Sequence, residues 1–175
     1  MEKTSAKNVT SNVLYSNDTY SIIENKKNTY VVKNTNLTDK APETNTKKPT
    51  ITTIQANSAV EFAYAMLGVR YSYGSASTSA TDCSGLTMQC YKSQGISIPR
   101  TASAQYRSGA KIDYSNIQPG DLIAWSGNGG RSVTHIGIYI GNGQFIHASS
   151  GRGEVMISDV AQYKTHSTYV GAVRY

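Results

Sequence analysis

The first 57 residues of this 175-residue chain contain no Gly, Trp, Phe or Cys. A segment so short of large apolar side chains cannot bury enough surface to offset the entropy of ordering it. Residues 1–57 are therefore expected to be a mobile N-terminal arm and linker, with Thr38–Thr53, which carries Pro42, Pro49 and Lys47-Lys48, as the linker proper. Within the arm, Ser21-Ile22-Ile23 and Thr29-Tyr30-Val31-Val32 flank a polar Asn25–Asn28 and could pair as a short hairpin over about 21–33. No apolar run is long enough to span a membrane. Met1–Thr10 is polar throughout, so no signal peptide is visible. A secreted protein with this beginning has either lost its signal at a boundary or leaves the cell by another route.

Dense Lys/Arg runs and aromatic–basic repeats are also missing, which argues against nucleic acid as a partner. The net charge of +6 is shared evenly, 8 basic against 5 acidic residues in 1–57 and 9 against 6 in 58–175. That is the balance of a solvated surface, and it leaves attraction to an anionic cell wall open. A disulfide framework is absent too. Cys83 and Cys90 lie seven residues apart on one predicted helix, about 10 Å of rise, beyond bridging distance. Cys90 reads as a small buried hydrophobe. Cys83 does not.

Residues 58–175 hold all 15 glycines, the single Trp and both cysteines. Ser58-Ala59-Val60-Glu61 has a capping-box pattern, with Val60, Ala63, Tyr64 and Leu67 following at helical spacing and Gly68 as the stop. A second helix is predicted from Thr81 or Asp82 as N-cap to about Gln94, burying Leu86 and Cys90. Pro99-Arg100-Thr101 opens a third, capped by Thr101 or Ser103 and closed by Gly109. Strands follow at Leu122–Trp125, Val133–Ile140, Phe145–Ala148, Val155–Ser158 and Tyr169–Arg174, with a flexible Gly-rich loop at Ser126–Arg131. Helices first and antiparallel strands afterwards predict an α+β domain with a sheet of about five strands.

The register of the two middle strands follows from alternation. A two-residue Asn142-Gly143 connection would put His147 opposite Ile138, on the isoleucine face. A three-residue Gly141–Gly143 connection puts it opposite Gly137, beside His135, and sends Ile146 to join Ile138. The hydrophobic pattern selects the second. Both imidazoles then share a face, and Gly137 leaves room for the ring of His147.

A thiol at a helix start and two imidazoles on one sheet face are the parts of nucleophilic catalysis. The segments Gly68–Gly74, Asp82-Cys83-Ser84-Gly85-Leu86, Ile98–Thr101, Gln118–Ile123, His135–Gly141 and Phe145–Ala148 resemble, in order, those of the NlpC family of papain-like peptidases acting on bacterial peptidoglycan. The resemblance covers essentially all of 58–175. It implies a papain-like fold, N-terminal helices packed on the sheet, and catalysis by Cys83 as nucleophile, His135 as base and His147 as the group orienting it. Backbone N–H groups at Cys83 and Ser84 would stabilise the oxyanion. Tyr71 would donate its hydroxyl there, or merely make an aromatic contact. Asp82 and Ser84 stand where some members bind a free L-alanine amine, although Asp82 is also the natural N-cap. His166, in a polar run, matches no motif.

The implied activity is cleavage of stem peptides, at the bond from γ-D-glutamyl to the diamino acid, by a monomer acting outside the cell or in its wall and needing neither cofactor nor metal. Three alternatives stay open. One is an amidase on the same fold that cleaves the muramoyl–L-alanine bond, and another is a silent wall-binding module. The third is a zinc site formed by Cys83, His135 and His147. Gly74 is followed by Ser75-Ala76-Ser77 where the family often has a second glycine, so stem-peptide preference is not implied by the resemblance.

Overall fold

Ser58 starts the first helix as its sequence predicts. In the computed structural model, which describes residues 12–16, 20–25, 28–33 and 58–175, its hydroxyl accepts the Glu61 N–H at 3.1 Å. Helix α1 (Ala59–Ala65) then buries most of its length, and Gly68 takes the left-handed conformation past its end. Asp82, not Thr81, caps helix α2 (Cys83–Lys92). Thr101, not Ser103, caps helix α3 (Ala102–Ser108), and Gly109 follows it.

By backbone contacts the chain divides into two units, 1–50 and 51–175. In the first, strands β1 (Asn12–Ser16), β2 (Tyr20–Asn25) and β3 (Asn28–Lys33) form an antiparallel meander. β2 and β3 occupy the stretch read as a hairpin, pairing Ser21 with Val32 and Ile23 with Tyr30. β1 is a third strand, bulged between Val13 and Tyr15. The linker reading for Thr38–Thr53 lies outside the described residues.

The second unit is α+β, but its sheet has eight strands, not five. They are β4 (Arg70–Tyr71), β5 (Ala80–Thr81), β6 (Ala110–Ile112), β7 (Leu122–Ser126), β8 (His135–Gly141), β9 (Gln144–Ser149), β10 (Glu154–Asp159) and β11 (Thr168–Arg174). Their order is β5-β4-β10-β9-β8-β7-β11-β6. The three strands missing from the sequence reading are two or three residues long, too short for any alternation to show. Nor is the sheet wholly antiparallel, because β4 and β5 pair in parallel. A short helix α4 (Val160–Tyr163), capped by Asp159, connects β10 toward β11.

Both faces of the sheet are covered. Helix α2 packs on β8 and β9, and Leu86, Cys90, Ile136, Ile138 and Ile146 are completely buried. The opposite face carries a second core of Ile123, Trp125, Tyr139, Phe145, Val160 and Ala172. The face that bears the histidines is therefore itself roofed, by α4 and the aromatic rings around it.

The register between β8 and β9 is the expected one, with Ile138 opposite Ile146 and Tyr139 opposite Phe145. Its route differs. The turn itself is the two-residue Asn142-Gly143, both at positive φ as a type I′ turn requires. The third residue enters as a bulge between Tyr139 and Gly141. The Gly-rich loop after β7 is not loose either. Gly130 N–H donates to Ser126 Oγ at 2.9 Å, Ser132 N–H to Asn128 Oδ1 at 3.2 Å, and Gly127 N–H to Thr134 Oγ1 at 2.8 Å.

Candidate active site

Asp82 organises the start of α2. Its Oδ1 accepts the Gly85 N–H at 2.7 Å, which is the N-cap bond, and its Oδ2 accepts the Gly74 N–H at 2.8 Å. Arg100 closes on it with both terminal nitrogens, Nη1 to Oδ1 at 2.9 Å and Nη2 to Oδ2 at 2.6 Å. The guanidinium and the two N–H donors hold the Asp82 carboxyl below its usual range, against the opposing effect of burial. Arg100 also donates to Ser84 Oγ at 2.9 Å, and Ser84 in turn donates to Asp82. Sequence reading named Arg100 only as part of a motif. A lone arginine just before a helix start was the available signal. Gly85 is needed where it stands, since a Cβ there would run into the Ser75 carbonyl.

Behind this cluster, buried Gln105 joins three segments. It accepts from Thr87 Oγ1 at 2.7 Å and donates to the carbonyls of Ser84 at 2.9 Å and Pro99 at 2.8 Å. The first turn of α2 is thereby fixed to α3, and Cys83 with it.

Cys83 is partly exposed in a cavity of about 650 Å³ whose walls also carry Tyr71, Asp82, Ser84, Arg100 and His135. The cavity thus gathers every sequence-predicted site residue except His147, which stands behind His135. Backbone hydrogen bonding from Ile136, Ser84 and Cys83 itself favours the thiolate. Burial nevertheless pushes the thiol up, and the neighbouring Asp82 charge adds to this. The pull of a helix N-terminus and a neighbouring imidazole toward thiolate, expected from the sequence, is opposed here by desolvation.

His135 Nε2 and His147 Nδ1 are 2.8 Å apart. The bond engages the far nitrogen of His135 and leaves its Nδ1 free to serve a reacting group. His147 continues the line, with Nε2 2.9 Å from Ser158 Oγ. Burial holds both rings below the ordinary histidine range, His135 down to about 4 and His147, also repelled by the other imidazoles, to about 3. Tyr163, unremarked in the sequence, stacks on His135 at 5.8 Å between centroids and meets His147 edge-on at 5.2 Å. Its position in a four-residue helix carries no pattern that could have flagged it. His166 packs against Tyr163 and is exposed.

This geometry does not suit the zinc alternative. The facing nitrogens of the two rings share one hydrogen bond, so they cannot both turn lone pairs on one ion at about 2 Å. Among the described residues no group of three or more His, Cys, Asp or Glu side chains could hold a metal.

Comparison with known proteins agrees with this architecture. The model of the NlpC/P60 family matches residues 68–174. The chain belongs to the NlpC/P60 family. It is 36% identical over 126 residues to a Bacillus cereus protein named gamma-D-glutamyl-L-lysine dipeptidyl-peptidase, covering 71% of this chain and 38% of that protein. To a probable endopeptidase p60 of Listeria seeligeri it is 45% identical over 82 residues, 47% of this chain and 15% of the relative. The chain therefore spans well under half the length of these relatives. Among solved structures, NlpC1 from Trichomonas vaginalis superposes with a TM-score of 0.63 at 29% identity, over 94% of this chain and 58% of that one. NlpC/P60 is a family of cysteine peptidases, and the fold is its papain-like α+β domain.

Proposed function

We propose that residues 58–175 form a cysteine endopeptidase that cleaves peptidoglycan stem peptides, at the bond from γ-D-glutamyl to the diamino acid, through a thioester on Cys83. The observation that carries this reading is the imidazole pair. His135 is held by its Nε2 from behind, with Nδ1 left over, on the wall of the same cavity as a thiol at a helix N-terminus.

The steps follow from that arrangement. His135 Nδ1 takes the Cys83 proton as the sulfur attacks the substrate carbonyl, a timing in keeping with burial that raises the thiol. The oxyanion falls near the N–H groups of Cys83 and Ser84, which have no helical partners of their own. Tyr71, on the same wall, can add its hydroxyl. The imidazolium returns its proton to the leaving amine, and the carbon–nitrogen bond breaks. Water, deprotonated by the same nitrogen, then releases the acyl half and restores the thiol. No metal or cofactor takes part in these steps.

Asp82 is a poor receptor for a substrate amine, since both of its oxygens are already occupied by Arg100 and by backbone donors. We assign it to building the helix start, and its neighbours Ser84 and Tyr71 to the substrate wall. Action on the wall implies a working site outside the cytoplasm, and the name of the Bacillus cereus relative, a gamma-D-glutamyl-L-lysine dipeptidyl-peptidase, supports the bond proposed.

Digestion of purified peptidoglycan and of free stem peptides by wild type and Cys83→Ala, with fragments read by mass spectrometry, tests the proposal. Fragments ending in D-glutamate are expected from the wild type alone. Lactyl sugars stripped of their stem would make the protein an amidase instead, and equal products from the mutant would remove the thiol mechanism.

A further inference from the structure

A second cavity, of about 500 Å³, lies on the other side of the histidine pair. Its walls include His147, Ser158, Asp159, Arg152, Tyr163 and His166, but not Cys83. His147 itself is 1% exposed. Its ring cannot turn, because Phe145 stacks on it at 4.7 Å and Tyr163 closes its edge. Packing thus fixes where the ring points. Which nitrogen carries its proton is left to hydrogen bonds.

We propose that Ser158 is a positioning residue for the catalytic pair, its hydroxyl holding His147 in the tautomer that leaves His135 able to act as a base. This rests on the reading of Cys83 and His135 as nucleophile and base. One proton lies between His135 Nε2 and His147 Nδ1, and it can belong to either ring. If it belongs to His135, Nδ1 of His135 keeps its lone pair for the thiol. Neutral His147 then carries its own proton on Nε2 and needs an acceptor, which Ser158 Oγ supplies at 2.9 Å. If it belongs to His147, His135 must be protonated on Nδ1 and cannot accept the thiol proton.

Removing the hydroxyl penalises the two arrangements unequally. The first strands a buried N–H, the second only a bare ring nitrogen, and orphaned buried donors are the rarer and costlier defect. The same acceptor is needed again when His135 becomes an imidazolium. That ring still donates to His147 Nδ1, so His147 must still donate onward to Ser158. A serine suits both states, since its hydroxyl rotates freely and can pass its own proton to the back cavity.

The groups facing His147 from each packed element are His135 on β8, Tyr163 at the end of α4 and His166 just beyond it, with Asp159 and Arg152 on the cavity wall. None of the latter four is hydrogen-bonded to its Nε2. Register also explains the reach of Ser158. It pairs with Phe145 while Met156 pairs with His147, so the serine meets the histidine along the diagonal.

The test uses the full chain with Ser158→Ala and Ser158→Thr. Ser158→Ala should lower kcat about tenfold with KM within about twofold, the scale of stranding the buried His147 N–H. It should also move the acid limb of kcat to lower pH, since the imidazolium loses support. Ser158→Thr, which keeps the hydroxyl, should restore kcat to within about twofold of wild type. Long-range ¹H–¹⁵N spectra on a Cys83→Ala background read the tautomer without any turnover. They should show His147 protonated on Nε2, and a redistribution toward Nδ1 when Ser158→Ala is added. Wild-type kcat in Ser158→Ala, failure of Ser158→Thr to rescue, or an unchanged His147 tautomer would each overturn the proposal. Because the spectra need no substrate, they stand even if the protein cleaves no cell wall.

Discussion

Replacing Gly137 by Ala tests the link between strand register and chemistry. A Cβ at 137 would stand 2.6 Å from Phe145 Cδ2, 2.8 Å from the Ile146 carbonyl oxygen and 3.1 Å from His147 Cβ. Ordinary contact between carbon atoms is about 3.5–4.0 Å, so the first of these is short by roughly 1 Å. Neither near neighbour can retreat easily. The Ile146 carbonyl lies in the β8–β9 ladder, and the Phe145 ring is held between Trp125 at 5.5 Å and His147 at 4.7 Å. Relief must come from moving β9, and with it the His147 ring. Overpacking of this kind costs about 1–3 kcal/mol, a fall in melting temperature of roughly 5–10 °C for a domain of this size. A shift of about half an ångström stretches the 2.8 Å imidazole bond to the long, weak end of hydrogen-bonding range, and a base misplaced by up to about 1 Å loses as much as a hundredfold in rate. Thermal melts followed by near-ultraviolet circular dichroism, paired with kcat on a stem peptide, measure both effects. Gly127→Ala is the control, since its nearest neighbour is Thr134 Oγ1 at an ordinary 3.5 Å. A Gly137→Ala protein that melts and turns over like wild type would refute the claim that this glycine makes room for the second histidine.

Asp82→Asn keeps an N-cap but loses the charge that Arg100 grips; with Arg100 about a third exposed, the expected cost is about 1–2 kcal/mol in urea unfolding, and an unchanged midpoint would count against the pair. The depressed Asp82 carboxyl adds stability that is present above pH 4 and lost as pH falls through its folded value. The two histidines act at higher pH: the unfolded chain takes up protons near pH 6.5 while the folded pair resists until about 4, so stability should drop by on the order of 3 kcal/mol for each ring between those limits, about 6 kcal/mol for the two. A urea midpoint that stays flat from pH 7 to 4.5 would show that the rings are not held neutral. Iodoacetamide should alkylate Cys83 at a rate that climbs with pH beyond 8, whereas a plateau between pH 5 and 8 would mean a preformed thiolate.

Local rules explain what could be read in advance. Ser58, Asp82 and Thr101 cap their helices because a short oxygen-bearing side chain reaches the third N–H ahead, and that depends only on the neighbouring residues. The pairing of β8 with β9 was legible because Ile136, Ile138 and Ile146 permit one register only. The bulge at Ile140 was not, since a two-residue turn plus a bulge and a three-residue loop pair the strands identically. β4, β5 and β6 lie at the ends of the sheet and exist because neighbouring strands offer them bonds, a fact of tertiary structure without local pattern. Arg100, Tyr163 and Ser158 were missed for the same reason. Each reaches the site from an element whose approach to Asp82, His135 or His147 is set by how the sheet and helices fold together.

The state of the thiol follows the same division. The pull of a helix N-terminus on Cys83 is local, and reading Asp82-Cys83-Ser84 suffices to expect it. The opposing push is burial by whatever covers the sulfur and the rings, including the aromatic side chain of Tyr163, 80 residues further along the chain, and it outweighs the Ile136 N–H of β8, which favours the thiolate. Desolvation raises the thiol and lowers the imidazole together, so each resists the charge that an ion pair would require. In the proposed mechanism a covered pair of this kind rests neutral, and the proton moves as the carbonyl is attacked. The line from His135 through His147 to Ser158 then has a definite use. Under the proposed mechanism it supports the positive charge on His135 only while that charge exists, which is when the tetrahedral intermediate is being made and broken.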